Sequence, residues 1–274
     1  MLLFYHIIEK KGSIFLNTSE WNSFCEFRSQ FRQKVEEWKK CVPELMELQK
    51  KAAELAGTPE YPFENTVVYN TDLDKITQED EIKLIVIGDN PGKDEQRTKN
   101  QRYLCGQAGK IADGFFKRNP ELGIDFRRNV IILNKTPVHS AKTAQLKTII
   151  KLGGKPVSDL IMESQIWMAE QTAALHQQLE KTSLWLVGYS ELKEKHFFCP
   201  YKDELKKMYA QGSVKDKAAW ERVFVYQHFS MNRFTIDLAE QIEKKSLQGK
   251  SLASQLERVG IIHKDEIFGE ISQK

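Results

Sequence analysis

The chain has 274 residues, 41 Lys+Arg against 38 Asp+Glu, a formal net charge of +3 and a hydrophobic content of 41%. A charged fraction of 29% with 10% aromatics excludes a disordered or low-complexity chain, and no apolar run approaches the roughly 18 to 20 residues that span a bilayer. The length allows one large domain or two small ones, either able to bury its own core, and the small net charge names no partner by itself.

Residues 1–8 are apolar, but no basic residue precedes them and Glu9, Lys10 and Lys11 follow at once, so no signal peptide is expected. From residue 19 to about 56, Trp21, Phe24, Phe27, Phe31, Val35 and Trp38 recur at helical spacing, with Ser19 as the expected N-cap, Pro43 dividing two helices, and Gly57, Thr58 and Pro59 as a stop. Residues 66–69 are a short strand candidate, and the aliphatic run 82–88 has the character of a strand covered on both faces. A helix over 108–116, a strand over 130–133, a long helix over 159–180, strands over 184–187 and 223–226, and helices over 235–245 and 252–259 complete the prediction. Strands alternating with helices predict a three-layer α/β/α domain with a central, mostly parallel four-stranded sheet and right-handed crossovers. The expected division is an N-terminal helical extension (1–60) packed on the domain, the α/β domain (61–247), and a C-terminal helix and tail (248–274). Cys25, Cys41, Cys105 and Cys199 form no Cys-x-x-Cys pair and have no His at zinc-site spacing, so reduced thiols in a cytoplasm are expected, without disulfides or a structural metal.

In parallel sheets, ligands sit beyond the carboxyl ends of the strands. Four segments follow those ends: Gly88-Asp89-Asn90-Pro91-Gly92, Asn134-Lys135-Thr136-Pro137, Gly188-Tyr189-Ser190 and His228-Phe229-Ser230. Taken alone, the first is a turn signal, Asn134 a cap or turn side chain, and His228 a structural histidine. Neither common phosphate-loop pattern is present, which argues against a nucleotide triphosphatase.

Their order changes the reading. Over residues 61–242 the chain resembles the uracil-DNA glycosylase superfamily. The first segment, through Glu95, is similar to the family's strand followed by Gly-x-x-Pro-Gly-x-x-Glu. Leu104-Cys105-Gly106-Gln107-Ala108-Gly109 is similar to the Phe-Val-Gly-x-Ala-Gly segment of the iron-sulfur glycosylases. The strand end at Asn134 resembles the family's Leu-Leu-Asn, residues 186–189 match its fourth strand, and His228-Phe229-Ser230 stands where the family has His-Pro-Ser.

This resemblance implies a monofunctional glycosylase of base excision repair that extrudes a nucleotide and hydrolyses its N-glycosidic bond to uracil. By the motif's register, Asn90 holds the attacking water, with Asp89 as a second possible base. His228 donates toward the anion developing on the uracil oxygen, and Asn134 pairs with the imide edge. Gly88, Pro91 and Gly92 shape the pocket; Leu104 occupies the family's aromatic stacking position, and Tyr103 beside it either stacks on the base or is an ordinary surface aromatic. Phe229 replaces a proline, removing a fixed φ. Ser230, Met231 and Arg233 occupy the family's minor-groove loop, where Met231 or Arg233 fills the space of the flipped base. The cysteine placement is a poor ligand set for an iron-sulfur cluster, so no cluster, metal or cofactor is expected.

Residues 126–158 hold seven basic residues (Arg127, Arg128, Lys135, Lys142, Lys147, Lys151 and Lys155) and no acidic one. A solvated charge run is the ordinary explanation. Under the glycosylase reading DNA is the partner of a monomer, with Lys142 and Lys147 as phosphate contacts. The alternatives are a nucleic-acid-binding module that has lost its chemistry and a hydrolase of free nucleosides.

Overall fold

A computed structural model describes residues 15–211 and 218–269; the apolar segment 1–8 lies outside them. Helix α1 (Thr18–Cys41) begins on a capping box: Ser19 N and Glu20 N donate to Asn17 Oδ1 at 2.9 and 3.0 Å, and Asn17 N donates to the Glu20 carboxylate at 2.8 Å. The cap is therefore Asn17 rather than Ser19. Asn17 has the extended backbone (φ −67°, ψ 169°) that turns its side chain back onto free amides, whereas Ser19 is already within the helix. Asn17→Ala is expected to lower stability by about 1 kcal/mol, read from urea or thermal unfolding. The stripe Phe24, Phe27, Phe31, Val35 and Trp38 is buried. Phe31 and Trp38 meet the Trp167 ring at centroid distances of 5.9 and 5.5 Å, and Trp38 Nε1 donates to Glu163 at 3.2 Å. Helix α2 (Leu45–Leu55) follows the break at Pro43.

The sheet contains β1 (Leu84–Gly88), β2 (Val130–Asn134), β3 (Ser183–Val187) and β4 (Val223–Tyr226), all parallel, in the order β2-β1-β3-β4. Near-continuous aliphatic strands suit this arrangement because both faces are covered. Right-handed crossovers place α3 (Gln107–Arg118), between β1 and β2, on one face. The chain then reverses direction across the sheet, which sends α4 (Gln145–Gln178) and α5 (Cys199–Ala210) to the other face. Helix α6 (Arg233–Lys244) joins the α3 side, where Phe234 meets Phe115 and Trp185 at 5.0 and 6.0 Å between centroids. Helix α7 (Leu252–Phe268) covers β4, and Tyr226 Oη donates to Leu256 O at 2.9 Å. The fold is thus α/β with two helical layers around an all-parallel sheet. Because the connections leaving the adjacent strands β1 and β3 go to opposite faces, a crevice opens between their carboxyl ends.

Three predicted elements differ, one of them α7, which is expected to end at 259 and continues to Phe268. Residues 66–69 make a single antiparallel bridge, Val67 to Val138, and no strand of the sheet. Their Val and Tyr side chains are buried against the segment after β2, where Val68 N donates to Pro137 O and His139 N to Thr66 O, both at 2.9 Å. Helix α4 starts at Gln145 instead of 159 and is interrupted at Gly154 (φ 64°, ψ −146°), a conformation open to glycine.

Candidate active site

A cavity of about 460 Å³ lies at the carboxyl ends of the strands, lined by Asp89, Asn90, Gly92, Glu95, Leu104, Asn134, Ser140, Thr143, His228 and Ser230 among others. The parallel register sets Gly88 of β1 beside Asn134 of β2, so residues distant in sequence arrive together. Asn134, His228, Asn90 and Asp89 therefore share one pocket.

Asn134 is 2% exposed, and its Nδ2 donates to no group among the described residues. A methyl group placed on Gly88 would overlap its Oδ1, so glycine at that strand end is what lets the amide lie against the β1 backbone. Asn90 is held at both ends. Its Nδ2 donates to Ser140 O at 3.1 Å and Ser140 Oγ at 2.9 Å, and Thr143 Oγ1 donates to its Oδ1 at 3.0 Å. Pro91 is buried and its carbonyl accepts from His139 Nδ1 at 2.8 Å, while Tyr61 Oη donates to His139 Nε2 at 3.0 Å. Burial pushes His139 down to about 4, so this brace stays neutral and keeps one tautomer at physiological pH.

His228 is partly buried in the pocket wall. Ser230 N donates to its Nδ1 at 3.1 Å, with Ser230 Oγ 2.8 Å from the same atom. A backbone amide can only donate, so the neutral ring carries its proton on Nε2. Burial lowers the His228 pKa; Asp89 opposes this and Lys135 adds to it. Phe229 keeps φ at −66°, the value that proline would impose, while its ring is buried against Phe234 and Phe126 at 4.8 and 6.4 Å between centroids. The replaced proline thus leaves the local backbone direction in place.

Leu104 lines the pocket, but Tyr103 does not. Tyr103 is fully buried and its Oη donates to Val68 O at 2.5 Å, so it is neither a stacking surface nor a surface aromatic but a core residue. Leu104 beside it has a left-handed backbone (φ 48°). Arg127 holds this turn, donating to the Tyr103 and Leu104 carbonyls. The Leu104 carbonyl packs so closely on Gly109 that any Cβ there would overlap it.

Met231 and Asn232 are both left-handed (φ 53° and 56°), and they raise the Met231 side chain to 80% exposure next to Ser230. Arg233, Lys142 and Lys147 are exposed outside the pocket. The basic run as a surface feature needs correction at one member: Lys135 is fully buried and ion-paired with Asp89 at 2.6 Å, whereas Lys155 is exposed and pairs with Asp159 at the surface. Two further groups bear on the site: Glu95, which lines the pocket, and Lys135, which lies buried behind Asp89. Glu95 is 7% exposed and pushed up to about 8 by burial, against the opposing pull of nearby Gly92 and Leu104 amides, Arg127 and Asn134. Its signal was its place at the end of the first motif. Lys135 had only its adjacency to Asn134.

Among the described residues no group of three or more His, Cys, Asp or Glu is placed to hold a metal ion, and no helix is long and apolar enough to cross a membrane. No protein-family model, curated protein or solved structure matches the chain.

Proposed function

We propose that the protein is a monofunctional DNA glycosylase that hydrolyses the N-glycosidic bond to uracil or a related deaminated base, on a fold of the uracil-DNA glycosylase kind. The observation that carries this reading is the convergence of Asn134, His228 and the Asp89-Asn90 pair on one pocket at the carboxyl ends of a parallel sheet, with a buried Asn134 amide nitrogen that faces Glu95 but completes no hydrogen bond among the described residues. An unsatisfied buried donor is costly unless a ligand completes it, and the imide edge of uracil offers the acceptor and donor that an Asn amide matches. On the opposite side of the scissile bond, the sugar gains positive charge as the base leaves with negative charge. Asp89 and Asn90 stand on the water side, and the His228 Nε2–H donates to the leaving base. Leu104 supplies an apolar wall. Met231, held out on its left-handed turn, fills the gap of the extruded nucleotide, and Arg233, Lys142 and Lys147 meet phosphates.

The test is release of free base from single- and double-stranded oligonucleotides carrying uracil, hypoxanthine or a mismatch. Release of uracil is expected. Absence of release from every substrate overturns the proposal; salt-sensitive binding without release selects a binding module, and faster cleavage of deoxyuridine than of DNA selects a nucleoside hydrolase.

A further inference from the structure

We infer that Lys135 is a positioning residue whose buried ammonium holds Asp89 as the acceptor for the attacking water's proton, an inference that rests on the glycosylase reading of the same pocket. Lys135 leaves the end of β2 and turns under the sheet's carboxyl edge. Its Nζ donates to Asp89 Oδ1 at 2.6 Å, to Val187 O at 2.6 Å and to Gly88 O at 3.4 Å, and lies 5.1 Å from the Phe198 ring centroid. One ammonium thereby joins the ends of β1 and β3 from β2. A buried ion pair is a poor way to gain stability, because well-packed apolar side chains of similar volume do as well or better. The charge therefore calls for a role beyond packing, and Asp89 is the group it touches.

Asp89 offers what Asn90 lacks. Both ends of the Asn90 amide are engaged, by Ser140 and by Thr143. Asp89 gives Oδ1 to Lys135, while among the described residues no protein group donates to its Oδ2, and the residue lines the pocket. The carboxylate lies over Gly188 (φ 99°), where any side chain would overlap it, so the floor at the end of β3 is shaped for this position. The charged and titratable groups facing Asp89 are Lys135 from the β2 end and His228 from the β4 end, with Glu95 opening on the same pocket.

In the hydrolysis, the water oxygen forms a bond to C1′ as the C1′–N bond breaks. The electron pair of that bond leaves with the base, which accepts a hydrogen bond from His228 Nε2, and the water proton passes to Asp89. Lys135 ties Asp89 Oδ1 to the ends of β1 and β3 and leaves Oδ2, which no protein group among the described residues engages, to take that proton, while an exposed lysine at that position would leave Asp89 unpaired.

The experiment compares uracil release and thermal unfolding of the full chain with Lys135→Met, Asp89→Asn and the double variant. Lys135→Met is expected to lower kcat by on the order of 10- to 100-fold with KM within about threefold of the parent, and to lower Tm. The double variant, which retains neither charge, should recover Tm and release uracil no more slowly than Asp89→Asn alone. Should Lys135→Met fail to fold, the double variant against Asp89→Asn decides the matter. A folded Lys135→Met protein with parental kcat, or a double variant slower than Asp89→Asn by a further factor of ten, overturns the role. A parent chain that releases no base overturns the glycosylase reading and this role with it, whereas an active parent isolates the test to Lys135.

Discussion

His228→Ala is expected to slow uracil release by on the order of 10³-fold under single-turnover conditions, with the folded state intact. The departing base carries negative charge in the plane of its ring, and a hydrogen-bond donor fixed before the reaction costs no reorganisation when that charge appears. Ser230 N–H occupies Nδ1, so the donor on His228 is Nε2–H. Burial lowers the pKa of the ring, so the neutral imidazole is the working form at pH 7 and release needs no acidic medium. His228→Gln, which retains an N–H donor, is expected to recover part of the loss. Unchanged circular dichroism together with a rate within threefold of the parent would contradict the role.

The same geometry revises how the strand-end motifs divide the work. Under the resemblance to uracil-DNA glycosylases, Asn90 is expected to hold the water and Asp89 is the second choice. In the fold, the turn after β1 points the Asn90 amide at Ser140 and Thr143, where it ties the β1 loop to the segment after β2. The adjacent carboxylate points to the crevice between β1 and β3 instead. Register alone does not separate neighbouring residues in a turn, because their side chains leave in directions set by φ and ψ rather than by spacing.

Much of the fold was legible because buried parallel strands read as aliphatic runs and the N-terminal stripe Phe24 to Trp38 kept helical period without interruption. The start of α4 was hidden because Gly153, Gly154 and Pro156 read as a loop, although the chain resumes its helix after one non-helical residue. Helix α5 was missed because its buried Tyr201, Leu205 and Tyr209 are a thin stripe among lysines and acids. Of the site, the motif residues that line the pocket were legible through their order along the chain. Tyr103 is buried against Val68 where its spacing alone gave no inward direction, and Lys135 looked like surface charge because sequence does not show that its side chain turns under the sheet. Both errors come from side-chain direction, which the fold decides.

Glu95 yields the second large effect, and its sign is fixed by burial. In the unfolded chain this carboxyl ionises near its ordinary 4.5, whereas in the pocket burial holds it up to about 8. Between those values the folded protein retains a proton that the unfolded chain has lost, so Glu95 favours the folded state fully below pH 4.5 and loses that contribution as pH rises to about 8. At about 1.4 kcal/mol per pH unit the loss is on the order of 5 kcal/mol. Glutamine has nearly the shape of the neutral acid and carries no charge at any pH. Glu95→Gln is therefore expected to flatten the fall in stability between pH 5 and 8 and to be the more stable protein at pH 8, as measured by urea unfolding across that range. Activity should follow the same group, because ionised Glu95 puts negative charge into the pocket that receives the leaving base anion. Release by the parent should weaken above about pH 8 while release by Glu95→Gln does not. Parallel stability profiles for the two proteins would show that the carboxyl is already ionised in the native pocket, and the alkaline loss of activity would then have to arise elsewhere.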